Sequence, residues 1–295
     1  EVLDTTFALP NLRMHLCRVV RGIPKLNAQV VATINDARRT EIRRHHTATH
    51  MLHWALREVL GEHVKQAGSL VEPERLRFDF SHYAAVSPEE LREIERLANL
   101  QVLKNCGVAV YETSKDEATA AGAIAFFGDK YGDIVRVLEA GVSVELCGGT
   151  HVGALGDIGM VKVVAESSIG SNLRRIEAVT GTNSVEYVLS HHRTISAAAS
   201  LLGAQPSELV AAIQRKIEEN KSLGDELKSL RSAQATSRAS EMVASAEGGV
   251  VVSRVDGVSP NDLRELALAI RQNSTIRVVV LGGVTDTGGV ALVAT

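Results

Sequence analysis

The chain has 295 residues, of which 45% are hydrophobic and 23% charged, with a formal net charge of −3. This size predicts about two domains, and the composition is that of an ordinary soluble globular protein. No apolar run approaches the roughly 20 residues of a membrane span, and the charge excludes a global basic field while leaving room for a local basic patch.

The opening "EVLDTTFALP" lacks the basic and apolar regions of a secretory leader. The sequence starts without Met and ends on "GGVALVAT", which reads as mid-strand, so it is expected to be a piece of a longer protein. Cys17, Cys106 and Cys147 are widely spaced and odd in number. They argue against a disulfide framework and for a reducing cytoplasm.

Residues 1–40 carry short apolar stretches such as "NAQVVATIN", which predict the end of a small β-barrel-like unit. Helical periodicity runs from Thr40, read as an N-cap, to Leu60, with Gly61 after it. "LRFDFSH" alternates like a strand. "SPEELREIERLANLQVLKNCG" predicts a helix capped by Ser87, with Pro88 in its first turn, Glu90 completing a capping box and Gly107 as the stop. Strand-like pieces follow: "VAVYE", "DIVRVLE", "VSVEL", "GMVKVVAES" and "RRIEAVTG".

Helices followed by strands and short turns predict an α+β layer. From about Thr182 to Ala246 the leucines fall at roughly helical spacing, predicting a long helix, hairpin or imperfect coiled coil. The last 48 residues read strand, helix, strand, strand, the opening of a separate α/β domain. The expected segments are 1–40, 41–185, 186–247 and 248–295.

Two short motifs carry the chemistry. On the Thr40–Leu60 helix, Ala48, Met51, Leu52, Ala55, Leu56 and Val59 form a core stripe, while His46, His50, His53 and Arg57 lie opposite. His46 and His50, spaced i and i+4, could grip one ion. A lone histidine pair is more often the solvated face of an amphipathic helix. "ELCGGTH" shifts that balance, because Cys147 ends an alternating strand and Gly148–Gly149 permit a turn returning His151 beside it. In that strand Ser143, Glu145 and Cys147 share one face. A cysteine with three histidines suits zinc better than magnesium or calcium. His46 is followed by Thr47, so the general base of an H-E-x-x-H protease is missing.

With both motifs in view, "RRHHTATHMLHWALREVLGEHVKQAGSLV…LRFDFSH" and "VELCGGTHV…IGSNLRRIEAVTG" closely resemble the editing domain of bacterial alanyl-tRNA synthetases. The likeness is strong over about residues 1–185. The helical segment and "VVVSRVDGVSPNDLRELALAIRQ" resemble that family's linker and the start of its C-terminal tRNA-binding domain. The aminoacylation domain, which would bind ATP and alanine, is not in this chain.

The resemblance implies a zinc-dependent hydrolase acting on tRNA(Ala) mischarged with serine or glycine. It implies zinc ligands at His46, His50, Cys147 and His151, and pocket residues at Thr49 and Gln66. His45 is an additional histidine about 100° around the helix from His46, and is not counted as a ligand. Zinc with three protein ligands can activate water, whereas a fourth ligand favours substrate orientation; both readings stand. A homodimer through the linker and C-terminal domain is a further expectation.

Two other functions remain: a threonyl-type or freestanding editing protein, and a non-catalytic tRNA-binding or dimerisation module with structural zinc. Arg43, Arg44, Arg174 and Arg175 are candidate phosphate contacts or plain surface charge. His53 and Arg57 could support the ligands or be solvated. Asp79 and His82 read as ordinary strand polarity more readily than as pocket edge. Cys17 and Cys106 are expected as packed small hydrophobes, and Trp54 as core or half-buried.

Overall fold

The computed structural model describes residues 1–9, 12–125, 132–285 and 288–295. The chain divides into two compact units, Glu1–Ser190 and His191–Thr295. Both mix helices with small sheets, and no closed barrel forms among the described residues.

The first unit begins with an exposed antiparallel ribbon of β1 (Val2–Leu9) and β2 (Leu12–Cys17). "NAQVVATIN" is not a strand: Val30 and Val31 are 83% and 91% exposed, and no regular element forms until Asp36. Alternating apolar residues make a strand only where something pairs with and covers them. Cys17, at the end of the exposed ribbon, is itself exposed rather than packed.

Helix α1 (Asp36–Leu60) starts a turn before the expected Thr40, because the Asn35 side chain accepts a hydrogen bond from the Arg38 N–H. After it come β3 (Gln66–Val71), β4 (Leu76–Ser81) and α2 (Pro88–Lys104). The capping box of Ser87 and Glu90 at α2 is present as predicted. Asn105 rather than Gly107 ends that helix, in the left-handed conformation that asparagine tolerates. Cys106 is exposed just beyond this turn.

Next are β5 (Val108–Ser114), α3 (Lys115–Ala120), β6 (Ile134–Ala140) and β7 (Ser143–Leu146). Strands β8 (Val161–Gly170) and β9 (Leu173–Thr180) complete the sheets, and α4 is Gly181–Leu201. One antiparallel sheet has the order β3-β4-β9-β8, the other β5-β6-β7.

Helix α1 contacts both sheets. Ala48, Met51, Leu52, Ala55 and Leu56 are fully buried in one core with Phe78, Phe80 and Ile176 of the first sheet and Ile94 of α2. The histidine stripe meets β7 of the second sheet. It is therefore not the solvated face of an amphipathic helix: His50 and His53 are only 4% and 2% exposed. The other face of β7, Val144 and Leu146, packs with Val135, Val137 and Ala118 in a separate small core. Period-two alternation thus turns Ser143 and Glu145 toward α1.

In the second unit, α5 (Leu209–Ala244) is a long helix of which only Ala212 and Ala239 are buried. It precedes β10 (Val250–Arg254), α6 (Pro260–Arg271), β11 (Val278–Val284) and β12 (Val290–Ala294). Strands β10 and β11 are parallel, with α6 in the crossover, and β12 is antiparallel to β11. Leu263, Leu266 and Ile270 of α6 pack on Val251, Val279 and Leu281. This is the strand–helix–strand–strand order that the sequence predicts.

Candidate metal centre

One helical turn separates His46 from His50, so both side chains leave the same face of α1. Cys147 and His151 come from the loop after β7. The donor atoms of these four residues all lie within 4.8 Å of one another. Sγ of Cys147 is 3.5 Å from Nε2 of His46. The ring of His151 is centred 4.4 Å from that of His46 and 5.1 Å from that of His50.

The neighbours of the four donors fix how they point. His50 Nδ1 lies 2.6 Å from one oxygen of Glu145 and donates its proton there, which turns Nε2 toward the other donors, where a metal ion would take the place of its proton. Thr47 donates its hydroxyl to the Arg43 carbonyl, so its oxygen can accept from the Val152 N–H and from Nδ1 of His151. His151 is thereby set in the same tautomer. Arg136 donates to the carbonyls of Cys147 and Gly149, at 2.9 and 2.6 Å, and holds the loop against β6.

Burial pushes the Cys147 thiol up, but the adjoining His151, His46 and His50 outweigh it and bring its pKa down to about 3. Burial lowers the pKa of His50, yet the Glu145 carboxylate and the Cys147 sulfur together outweigh this and raise it to about 9. Glu145, opposed by its own burial, is held well below the usual carboxylate range by His50 and His53. Burial lowers His151.

These residues fit a soft, borderline metal ion. The set is one thiolate and three imidazoles, and Nε2 of His50 and of His151 are buried without a hydrogen-bond partner. Buried polar nitrogens without partners are costly, and a shared cation satisfies them.

A cleft beside this group is lined by His53, Arg57, Val64, Lys65, Gln66, Ile124 and Ala125. Gln66, at the start of β3, therefore lies in the cleft with His53 and Arg57. Thr49 is buried and donates its hydroxyl to the His45 carbonyl, and it is not among the cleft-lining residues. His45 stands apart from the donors, accepting at Nε2 from the Thr180 N–H at 3.1 Å.

Among the candidate phosphate contacts, Arg174 pairs with Glu166, Arg175 with Asp79, and Arg44 with Glu41 and the Asp157 carbonyl. His82 lies against His63, and Trp54 is half-buried against the core.

Sequence reasoning missed three contributors: Glu145, Thr47 and Arg136. Glu145 was legible as the carboxylate two residues before Cys147 on the same strand face. Thr47, one turn C-terminal to Arg43, and Arg136, on the neighbouring strand, carry no local signal.

Residues 135–177 match a family described as the threonyl and alanyl tRNA synthetase second additional domain. The chain is 42% identical over 298 residues to the alanine–tRNA ligase of Ralstonia nicotianae, covering 100% of this chain and 34% of that one. It is 43% identical to that of Burkholderia thailandensis, over 99% of this chain and 34% of the relative. It is 46% identical to that of Chlorobaculum tepidum, over 90% of this chain and 31% of the relative. The chain spans about a third of the length of the curated relatives it matches. The first two alignments cover 100% and 99% of this chain and so run through α5 and β10–β12, which removes support from a freestanding editing protein. The likeness first read from "HTATH" and "ELCGGTH" is thus shown at the level of the whole chain, which is similar from end to end to about a third of an alanyl-tRNA synthetase.

Proposed function

We propose that this chain is the editing portion of an alanyl-tRNA synthetase, hydrolysing the ester of tRNA(Ala) mischarged with serine or glycine. In this reading residues 41–185 are the editing domain, 186–247 the linker and 248–295 the opening of a tRNA-binding domain, acting in the cytoplasm. The observation that carries the proposal is the convergence of His46, His50, Cys147 and His151 beside a cleft containing Gln66.

His46, His50, Cys147 and His151 would hold a zinc ion. Bound there, zinc supplies a Lewis acid for polarising water or for holding the aminoacyl end. Water adds to the ester carbonyl carbon, the bond to the ribose oxygen breaks, and the free amino acid and a tRNA 3′-terminal hydroxyl result. The ester is already activated, so the protein's part is to position the groups and stabilise the oxyanion. Gln66, in the cleft, binds the amino acid or the attacking water, while Thr49, buried one residue before His50 and outside the cleft lining, acts on the pocket from behind its wall. Arg57 and Lys65 give the cleft cationic edges suited to the anionic 3′ end.

A second sieve of this kind has an energetic reason. One methyl group separates alanine from glycine, worth only about 1–3 kcal/mol in a pocket, and an apolar pocket rejects an added hydroxyl poorly. A site that hydrogen-bonds the serine hydroxyl discriminates better.

The test is a deacylation assay with Ser-, Gly- and Ala-tRNA(Ala), with zinc and after its removal. Faster hydrolysis of the Ser and Gly esters, lost with the metal and with Gln66→Ala, is expected. Equal or absent hydrolysis of all three by folded, zinc-loaded protein leaves a structural metal in a tRNA-binding module, a reading that four protein ligands also favour. Homodimerisation through α5, which exposes Leu223, Leu227 and Leu230, is part of the proposal and is read by sedimentation equilibrium.

A further inference from the structure

The two histidines that flank Glu145 belong to different parts of the site. His50 is one of the four candidate ligands, whereas His53 lines the cleft. Nδ1 of His50 is 2.6 Å from one carboxylate oxygen and Nδ1 of His53 is 3.1 Å from the other. Ser143 donates its hydroxyl to the second oxygen at 2.8 Å. Glu145 is 1% exposed, so water offers its carboxylate no alternative partners.

The geometry points to Glu145 as a positioning residue that couples the metal centre to the cleft, holding His50 for the ion with one oxygen and setting His53 in the cleft wall with the other. The coupling follows from rigidity. Within β7, Glu145 sits between packed neighbours, with Val144 and Leu146 seated in the small core on the opposite face. His50 and His53 are three residues apart on one helix face, so neither ring can turn without disturbing the carboxylate they share. When an ion takes Nε2 of His50, that ring is locked, the carboxylate is locked with it, and His53 is left with a fixed partner. Without the ion, the second nitrogen of His50 has only the adjoining Cys147 sulfur in place of a metal bond, and the carboxylate, held on the His53 side by His53 and Ser143, has greater freedom to turn.

This inference rests on the editing proposal only for what occupies the cleft; the coupling between ion and His53 does not depend on it. Linkage also makes it reciprocal: if the ion orders His53, His53 contributes to holding the ion.

The experiment uses the whole chain with selectively isotope-labelled histidine, followed by nuclear magnetic resonance during addition of zinc, with zinc affinity measured by chelator competition. In the wild type, zinc is expected to shift and sharpen the His53 ring resonances, assigned by their loss in His53→Asn. Glu145→Gln keeps the shape but offers an amide N–H to one of the two imidazole N–H groups. It is expected to weaken zinc about 10- to 100-fold and to abolish the His53 response. His53→Asn, which leaves all four ligands intact, is expected to weaken zinc several-fold. His53 resonances identical in zinc-free and zinc-loaded wild type would overturn the coupling, as would a His53→Asn zinc affinity equal to that of the wild type. Neither readout involves hydrolysis, so a protein that deacylates nothing yet shows the His53 response refutes the editing reading alone.

Discussion

The backbone of Gly149 lies against the imidazole of His46 so closely that a β-carbon on it would stand 2.0 Å from Cε1 of the ring. The neighbouring Gly148 has no atom within 4 Å of its own missing β-carbon. Of the two glycines in "CGGTH", one is required by close approach to a candidate ligand.

Gly149→Ala should therefore push His46 out of the donor set, whereas Gly148→Ala should leave it in place. The expected outcome is a loss of zinc affinity of at least about tenfold for the first variant and little change for the second. Chelator competition on the two purified variants measures it.

Thr47 and Thr49 should separate in the same assay. The oxygen of Thr47 serves Nδ1 of His151 and the Val152 N–H, so Thr47→Val frees the ring and should weaken zinc about tenfold. The hydroxyl of Thr49 goes to the His45 carbonyl of its own helix. Thr49→Val should keep full metal content, and its effect should appear in the preference for Ser-tRNA(Ala) over Ala-tRNA(Ala).

His45 should matter to folding and not to the metal. It and Thr180 are fully buried, and His45→Phe fills the space but leaves the Thr180 N–H without its acceptor. An orphaned buried donor costs about 1–3 kcal/mol. Urea unfolding should register that loss, and metal analysis should find the zinc content of the wild type.

The His63–His82 pair should make stability depend on pH away from the metal. Nε2 of His63 and Nδ1 of His82 are 2.9 Å apart, a bond that needs one nitrogen protonated and the other bare. Burial, His63 and Arg174 lower His82 below its ordinary 6.5, against the pull of Glu90 and Glu166. The unfolded chain then takes up a proton that the folded chain resists, so this contribution is present above 6.5 and is lost as pH falls below it. Thermal melts of wild type and His82→Gln across that range should diverge above 6.5 and converge in acid.

Much of this architecture was legible because it is written in local pattern. Ser87, Pro88 and Glu90 announce α2, the 3.6-residue stripe from Ala48 to Leu56 announces a buried helix face, and alternation marks β4 through β9. The ligand spacing was equally local, since i and i+4 on a helix and a glycine turn after a strand each constrain two residues. What the pattern cannot carry is which surface a second layer covers. The stripe of His46, His50 and His53 looks solvent-facing until β7 is laid over it, and that contact spans about a hundred residues of chain. The same blindness made "NAQVVATIN" look like a strand with no partner, and it placed Cys17 and Cys106 in a core that does not reach them.

The two halves of the centre differ in how much of the fold they require. His46 and His50 are in register whenever α1 is helical, but Cys147 joins them only once β7 has docked, across 101 positions of sequence. An ion that needs all four donors thus recognises the closed arrangement and ignores the open one. Free zinc at a hundredfold excess over its dissociation constant then adds about 2.7 kcal/mol to the closed state. On the proposed zinc reading, metal supply would clamp tertiary structure, tightening the seam between helix and strand.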